Sequence, residues 1–290
     1  MKAYFQILGA CLIWGTYGLF VQGLGYAPEV TVFFRFLFGA VFLVLLSALT
    51  GDLARLRPSS QTKWLILIGV VNSASWLMLT RSITYTSVAN GFILYYTAPC
   101  FVVLLAPFLL RERTEKKSLP ALLLSFAGVV LIAGQGSAGG PGIYSLWGNA
   151  LGLASGILYA LFILALKRLP PELLGLVSNT YMCATIALVS LPLAAPWLAQ
   201  VTLPGIMALI LLGVLIQGLA STMYMIGLRG VKAQHASILS YFEALFSIVF
   251  AALFLHEAIT LTFLAGVVLI IAGGAVVVSI KAKEESVKSC

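Results

Sequence analysis

Residues 83–112 read ITYTSVANGFILYYTAPCFVVLLAPFLLRE, and residues 237–257 read SILSYFEALFSIVFAALFLHE. Each run is apolar over more than the roughly 20 helical residues that span about 30 Å of hydrocarbon. Each also closes on a glutamate, Glu112 or Glu257. Laid over one another at an offset of 145 residues, Tyr96 falls on Tyr241 and Phe101 on Phe246. A second word repeats letter for letter, AGVVLI at 127–132 and again at 265–270. Its smaller offset of 138 follows from the longer RERTEKKSLP connection after the first run. Two copies of one apolar module are the sequence mark of many membrane transporters.

Ten apolar runs divide the chain, at 3–24, 30–49, 64–81, 87–110, 118–135, 146–166, 174–194, 205–228, 233–255 and 260–280. Short connections separate them, so the spacing predicts an all-α integral membrane protein of ten transmembrane helices. It divides as a first five-helix repeat over 1–138, a second over 139–281, and a polar cytoplasmic tail over 282–290. Five spans is an odd number, which forces the second copy to enter the bilayer upside down. The first run is too long for a signal-peptide core and lacks a cleavage site, so it is expected to remain as a span.

Composition agrees. Hydrophobic residues make up 61% of the chain and charged ones 9%, with a mean hydropathy of +1.07. That profile suits a surface facing lipid, with the few polar groups turned inward. The net charge of +8 comes from basic residues scattered over short loops, which argues against a nucleic-acid partner. With the N-terminus in the cytoplasm, Lys2, Arg55, Arg57, Lys63, Arg111, Arg113, Lys116, Lys117, Lys167, Arg168, Arg229, Lys232, Lys281, Lys283 and Lys288 all lie inside and Arg81 outside. So lopsided a distribution predicts both termini in the cytoplasm of a cell with this protein in its inner membrane. Cys11, Cys100, Cys183 and Cys290 show no metal-ligand spacing, and neither metal, cofactor nor disulfide is expected. The partners expected are the lipid bilayer and a small-molecule substrate, with a monomer sufficient.

Polar side chains deep in a span are costly and therefore mark candidate pathways. Glu243 lies about ten residues into its run, roughly 15 Å deep at 1.5 Å per residue, with Ser240 three positions earlier on the same face. It reads as a group that meets a substrate ammonium or a proton, or else as a protonated acid bonded to a neighbouring helix. Asn72 and Gln217 align within one residue when LIGV and LLGV are superposed. Gln217, Ser221 and Tyr224 follow i, i+4, i+7 spacing, and Asn72 with Trp76 makes a similar face; these faces line a cavity or bind helices together. Tyr95 and Tyr96 precede Pro99, which frees a helix carbonyl, and Tyr96 is the expected aromatic wall. Tyr17 and Tyr159, near Gly15 and Gly156, suit gating or close packing. Arg35 reads as an anchor snorkelling to the interface ahead of a clamp for a substrate carboxylate. Arg81 and His235 read as interfacial.

Several of these positions together resemble the ten-helix drug/metabolite transporter superfamily, in its EamA-type branch: Trp14-Gly15, Arg35 within PEVTVFFRFLFGA, the run 83–112 and the AGVVLI words. SYFEALF departs from the family pattern, in which the acidic residue is often followed by proline; Glu243 matches and Ala244 does not. Within the branch the chain is most similar to bacterial amino-acid exporters of the YddG type, which implies export of aromatic and other neutral amino acids. Other drug or metabolite cargo, and a channel or receptor-like scaffold, are the alternatives. An enzyme is disfavoured, because HExxH, GxSxG and paired intramembrane aspartates are all missing.

Overall fold

The computed structural model describes residues 1–21, 24–86, 88–112, 115–134, 146–254 and 261–288. Arg113, His256, Glu257, Cys290 and the boundary between residues 138 and 139 lie outside them, as do the side chains of Lys281, Lys283 and Lys288. Among the described residues the chain is all-helical, without strands. The helices are α1 (Lys2–Gly15), α2 (Tyr17–Val21), α3 (Pro28–Leu49), α4 (Thr62–Tyr85), α5 (Val88–Tyr95), α6 (Ala98–Leu109), α7 (Ser118–Gly134), α8 (Leu146–Arg168), α9 (Leu176–Ala194) and α10 (Leu203–Leu212). A π-helical segment, Gly213–Ala220, leads into α11 (Ser221–Arg229), followed by α12 (Ala233–Leu239), α13 (Phe242–Phe254) and α14 (Leu261–Lys288). Seven described stretches are long and apolar enough to cross a membrane, and Ser118–Leu131 and Leu264–Ser279 add two shorter apolar helices. The final helix continues to Lys288, past the point where a polar tail is expected.

Four of the apolar runs are not continuous helices. The first is interrupted at Thr16, whose hydroxyl bonds back to the Ile13 carbonyl at 2.7 Å. The fourth breaks between Tyr95 and Ala98, where Pro99 has no N–H to give. The ninth breaks at Ser240–Tyr241 with no proline; there the Ser240 hydroxyl donates to the Ser237 carbonyl at 2.6 Å. These last two breaks fall within one residue of the 145-residue offset and are joined, because Tyr241 Oη donates to the Tyr96 carbonyl at 2.8 Å. The eighth run widens into the π segment. Wide turns turn carbonyls away from the helix ladder, and here those of Ile216 and Gln217 accept from Trp14 Nε1 at 3.1 Å and Asn179 Nδ2 at 2.7 Å.

Helices meet through small residues, as expected where lipid offers no hydrophobic force to drive them together. The two AGVVLI words face one another across α7 and α14: a Cβ on Gly128 would lie 2.6 Å from the Gly266 carbonyl. A Cβ on Gly213 would lie 2.5 Å from that of Phe38, which sets the approach of α3 to the π segment. Contacts come in matched pairs. Helix α4 packs on α8 as the π segment and α11 pack on α1, and α3 packs on α9.

The connections gather at two faces. On one, Arg55 reaches the Glu172 carbonyl at 3.3 Å and Tyr181 Oη the Leu56 carbonyl at 2.8 Å. Lys167 Nζ donates to the Leu228 and Val231 carbonyls, each at 2.6 Å, and Arg229 reaches the Leu174 carbonyl. There too Lys232 pairs with Glu115, Glu115 meets His235 Nε2 at 3.1 Å, and His235 Nδ1 bonds Tyr4 Oη at 2.7 Å. The Ala233 N–H donates to the Glu112 carboxylate at 3.0 Å. Burial pushes the Glu112 carboxyl above its usual range. Glu115 is also partly buried, yet Lys232 and His235 outweigh that and hold it below its usual range. On the opposite face Tyr26 Oη meets Thr202 Oγ1 at 2.9 Å, and Asn90 donates to Asn149 at 2.6 Å.

Candidate functional site

Between these faces lies a chamber whose wall comes from α1 and α2 (Trp14, Tyr17), α3 (Arg35, Phe36), α4 (Asn72, Trp76), α5 (Phe92, Tyr95), α8 (Tyr159, Phe162), α9 (Met182), the π segment and α11 (Ile216, Gln217, Ser221, Tyr224, Met225) and α13 (Glu243). Every structural irregularity described above touches it. The broken fourth run brings Tyr95 to the wall, the break after α12 puts Glu243 in the first turn of α13, and the π segment turns Gln217 inward. A helix N-terminus carries partial positive charge, which favours an acidic side chain in that first turn.

Arg35 departs most from its expected role. Its residue is 2% exposed, so it does not snorkel. The guanidinium carbon lies 4.4 Å from the Trp76 ring centroid, 4.8 Å from Phe36 and 5.0 Å from Tyr17. Aromatic faces attract such a cation, and three of them hold it inside the bundle. They cannot supply hydrogen-bond acceptors in its plane. Nε and Nη2 are buried with no partner, and so are Asn72 Oδ1 and Tyr224 Oη, which line the same chamber. A buried polar group left unpaired costs about 1–3 kcal/mol, and native structures rarely collect several in one place. Four unpaired polar atoms thus face one cavity, open to pairing with water or a solute there.

The remaining polar groups are partly satisfied within the wall. Gln217 Nε2 donates to Ser221 Oγ at 3.1 Å, and Ser221 Oγ donates to the Ile216 carbonyl at 3.2 Å. Asn72 Nδ2 points to Met182 Sδ at 3.3 Å, a weak acceptor. Tyr95 and Tyr159 stand with ring centroids 4.9 Å apart, and Trp14 and Tyr224 at 5.1 Å, so much of the wall is aromatic.

The chamber is slender: the centre of a water molecule can occupy about 80 Å³ of it. At ~10–15 Å³ of such space per water and ~30 Å³ of liquid volume each, that is room for about half a dozen waters, or a solute on the order of 180 Å³.

Of the residues singled out in the sequence, the structure brings Tyr17, Arg35, Asn72, Trp76, Tyr95, Tyr159, Gln217, Ser221, Tyr224 and Glu243 to this one wall. Tyr96, Ser240 and Pro99 are not among its lining. Tyr96 is half-buried, 6.2 Å from the Tyr241 ring; Ser240 bonds back to its own helix; Pro99 is buried at the start of α6. Trp14, Phe36, Phe92, Phe162, Met182, Ile216 and Met225 line the chamber without having been singled out as site residues. A signal for two of them was present: the offset of 145 residues carries Tyr159 onto Trp14 and Tyr17 onto Phe162.

A helical membrane protein with apolar spans around a buried polar and aromatic chamber has the build of a transporter. The model of the EamA-like transporter family matches the chain twice, at residues 1–134 and 146–279, and the chain belongs to that family. An uncharacterized transporter of Clostridium kluyveri is 25% identical over 90% of this chain and 86% of its own length. One of Archaeoglobus fulgidus is 29% identical over 92% of each. A crystal structure sharing 20% identity superposes with a TM-score of 0.83 over 97% of this chain and 98% of that one, a likeness of fold alone.

Proposed function

We propose that this membrane transporter exports small neutral metabolites, foremost amino acids with aromatic and other uncharged side chains, by alternating access. In this reading ten spans form two inverted halves, 1–138 and 139–281, that rock about the chamber in the cell inner membrane with both termini cytoplasmic. The paired helix contacts, the twofold family match and the gathering of basic connections on the N-terminal face support it.

One observation carries the substrate class: a buried guanidinium with two unpartnered nitrogens shares its chamber with Glu243. A guanidinium fork matches a carboxylate bidentately, and a carboxylate suits an ammonium, so the pair complements a zwitterion. The aromatic wall suits an apolar side chain, and the chamber's size suits a molecule of that class. Phosphate-rich cargo is disfavoured, since Arg35 is the sole basic group among the described lining residues.

The test is purified protein in liposomes, challenged with radiolabelled amino acids, drugs and nucleotide sugars under imposed pH gradients. Saturable counterflow of an aromatic amino acid is expected. Transport confined to nucleotide sugars, or flux without trans-stimulation, overturns the reading.

A further inference from the structure

A second cavity lies on the flank of the bundle, away from the chamber. It is a groove between α4, α6 and α8, lined by Gln61, Trp64, Leu67, Ile68, Val71, Leu109, Leu161, Leu164, Ala165, Arg168 and Leu169. It is far roomier than the chamber, with about 470 Å³ open to the centre of a water molecule against about 80 Å³.

Its chemistry is graded along its length. Gln61 and Arg168 stand at the end nearest the basic connections, at the start of α4 and the close of α8; everything deeper is apolar apart from the indole of Trp64. Lys63 adds a second cation there, its Nζ 5.7 Å from the Trp64 ring centroid. From Gln61 to Val71 the helix rises about 15 Å at 1.5 Å per residue, which is half of the roughly 30 Å hydrocarbon core. The groove therefore starts at a membrane interface and ends near the middle of the bilayer. Trp64 is 50% exposed and Leu67 48%, so the wall opens sideways toward lipid. Water gains nothing in so apolar a trough, and lipid tails are the solvent at that depth.

We infer that this groove is a binding site for an anionic phospholipid of the leaflet on the basic face, with one acyl chain along Leu67, Val71, Leu161 and Ala165 and the phosphate at Arg168 and Lys63. The commitment to an anionic lipid rests on charge complementarity: Arg168 and the Gln61 amide line the mouth, Lys63 lies over the ring of the lining Trp64, and the trough matches a single-leaflet chain in length. An interfacial Trp beside them is a common headgroup-level anchor. The inference is independent of what the central chamber carries.

The test uses the full chain in nanodiscs of phosphatidylcholine, titrated with phosphatidylglycerol and read by native mass spectrometry of retained lipid. Each basic side chain near an anionic surface favours the charged lipid by roughly five-fold, so a preference for phosphatidylglycerol on the order of ten-fold or more is expected. Lys63→Gln with Arg168→Gln should reduce it to about two-fold or less, while Ala165→Trp, which fills the trough and keeps both charges, should remove the retained lipid altogether. Thermal unfolding in phosphatidylcholine alone identifies any variant that fails to fold. Equal retention of both lipids by the wild-type chain overturns the inference, as does a preference that survives in well-folded forms of both variants.

Discussion

Replacing Arg35 by glutamine separates recognition of a carboxylate from every other role of that side chain. Nε and Nη2 are buried and unpartnered, so a bound carboxylate would complete charge-assisted hydrogen bonds there. Such bonds contribute about 1.5–3 kcal/mol each; because paired bonds are not additive, a total of about 2–3 kcal/mol is a fair expectation. That corresponds to a rise of about 30- to 150-fold in the KM of an aromatic amino acid. The matching amine without a carboxylate should lose nothing, and should bind better, since its ammonium no longer meets a buried cation. Arg35→Lys keeps the charge without the planar fork and is expected to fall between. Fold stability should move little, by about 1–2 kcal/mol, because the cation–π contacts with Trp76, Phe36 and Tyr17 are lost along with an unpartnered buried charge. The assay is counterflow in liposomes with the amino acid and its decarboxylated amine run in parallel. Equal losses for both substrates, or none for either, would refute the assignment.

Other perturbations follow from the same structure. Glu243→Gln is expected to weaken counterflow of the amino acid, whose ammonium loses its carboxylate partner, and to abolish the response of the remaining transport to an imposed pH gradient; an undiminished response removes proton coupling from that residue. On the basic face, Glu115→Gln breaks the pairs with Lys232 and His235 and should destabilise the chain by about 1–2 kcal/mol at neutral pH. Glu115 is held low, so its contribution is present above the ordinary carboxylate pKa and lost as pH falls through its lowered value. Glu112 is raised, so Glu112→Gln should be neutral or stabilising, the amide oxygen still accepting from Ala233 N–H; thermal melts against pH distinguish the two. Gly128→Leu should cost about 1–3 kcal/mol by parting α7 from α14. Gly18→Ala, whose Cβ would meet only Ser247 Oγ at 3.8 Å, serves as the silent control in the same melt.

Much of the architecture was legible because lipid imposes simple rules: apolar runs of span length, basic connections on one side, repeated words. Asn72, Trp76, Gln217 and Ser221 were legible because a polar or aromatic group deep in a span has few places to go but inward. What escaped the sequence depends on departures from helical periodicity. Tyr95 and Tyr96 both stood out ahead of Pro99, with Tyr96 the expected wall; α5 ends at Tyr95, and it is Tyr95 that lines the chamber. Ser240 stays one turn from Glu243, its carbonyl accepting from the Glu243 N–H at 3.0 Å, but its hydroxyl is taken by the Ser237 carbonyl and it does not line the chamber. Arg35 was read as snorkelling from its distance to a helix end, a rule blind to Trp76, Phe36 and Tyr17, which come from three different helices and meet only in the folded bundle.

The repeat also bears on how the chamber is used. At the offset of 145 residues Trp14 pairs with Tyr159, Tyr17 with Phe162, Asn72 with Gln217 and Trp76 with Ser221, and all eight line the chamber. The charged groups break this correspondence: Arg35 pairs with Thr180 and Glu243 with Ala98, neither of which lines it. A symmetric scaffold therefore carries one cation and one acid, each supplied by a different half. On the proposed alternation the halves rock while these two groups stay where they are, so a zwitterion holds a single orientation from one face to the other. It follows that Thr180→Arg with Arg35→Thr, which moves the cation to its paired position, should not restore transport lost in Arg35→Thr alone. Restoration would mean that the chamber reads the substrate by charge content and not by orientation.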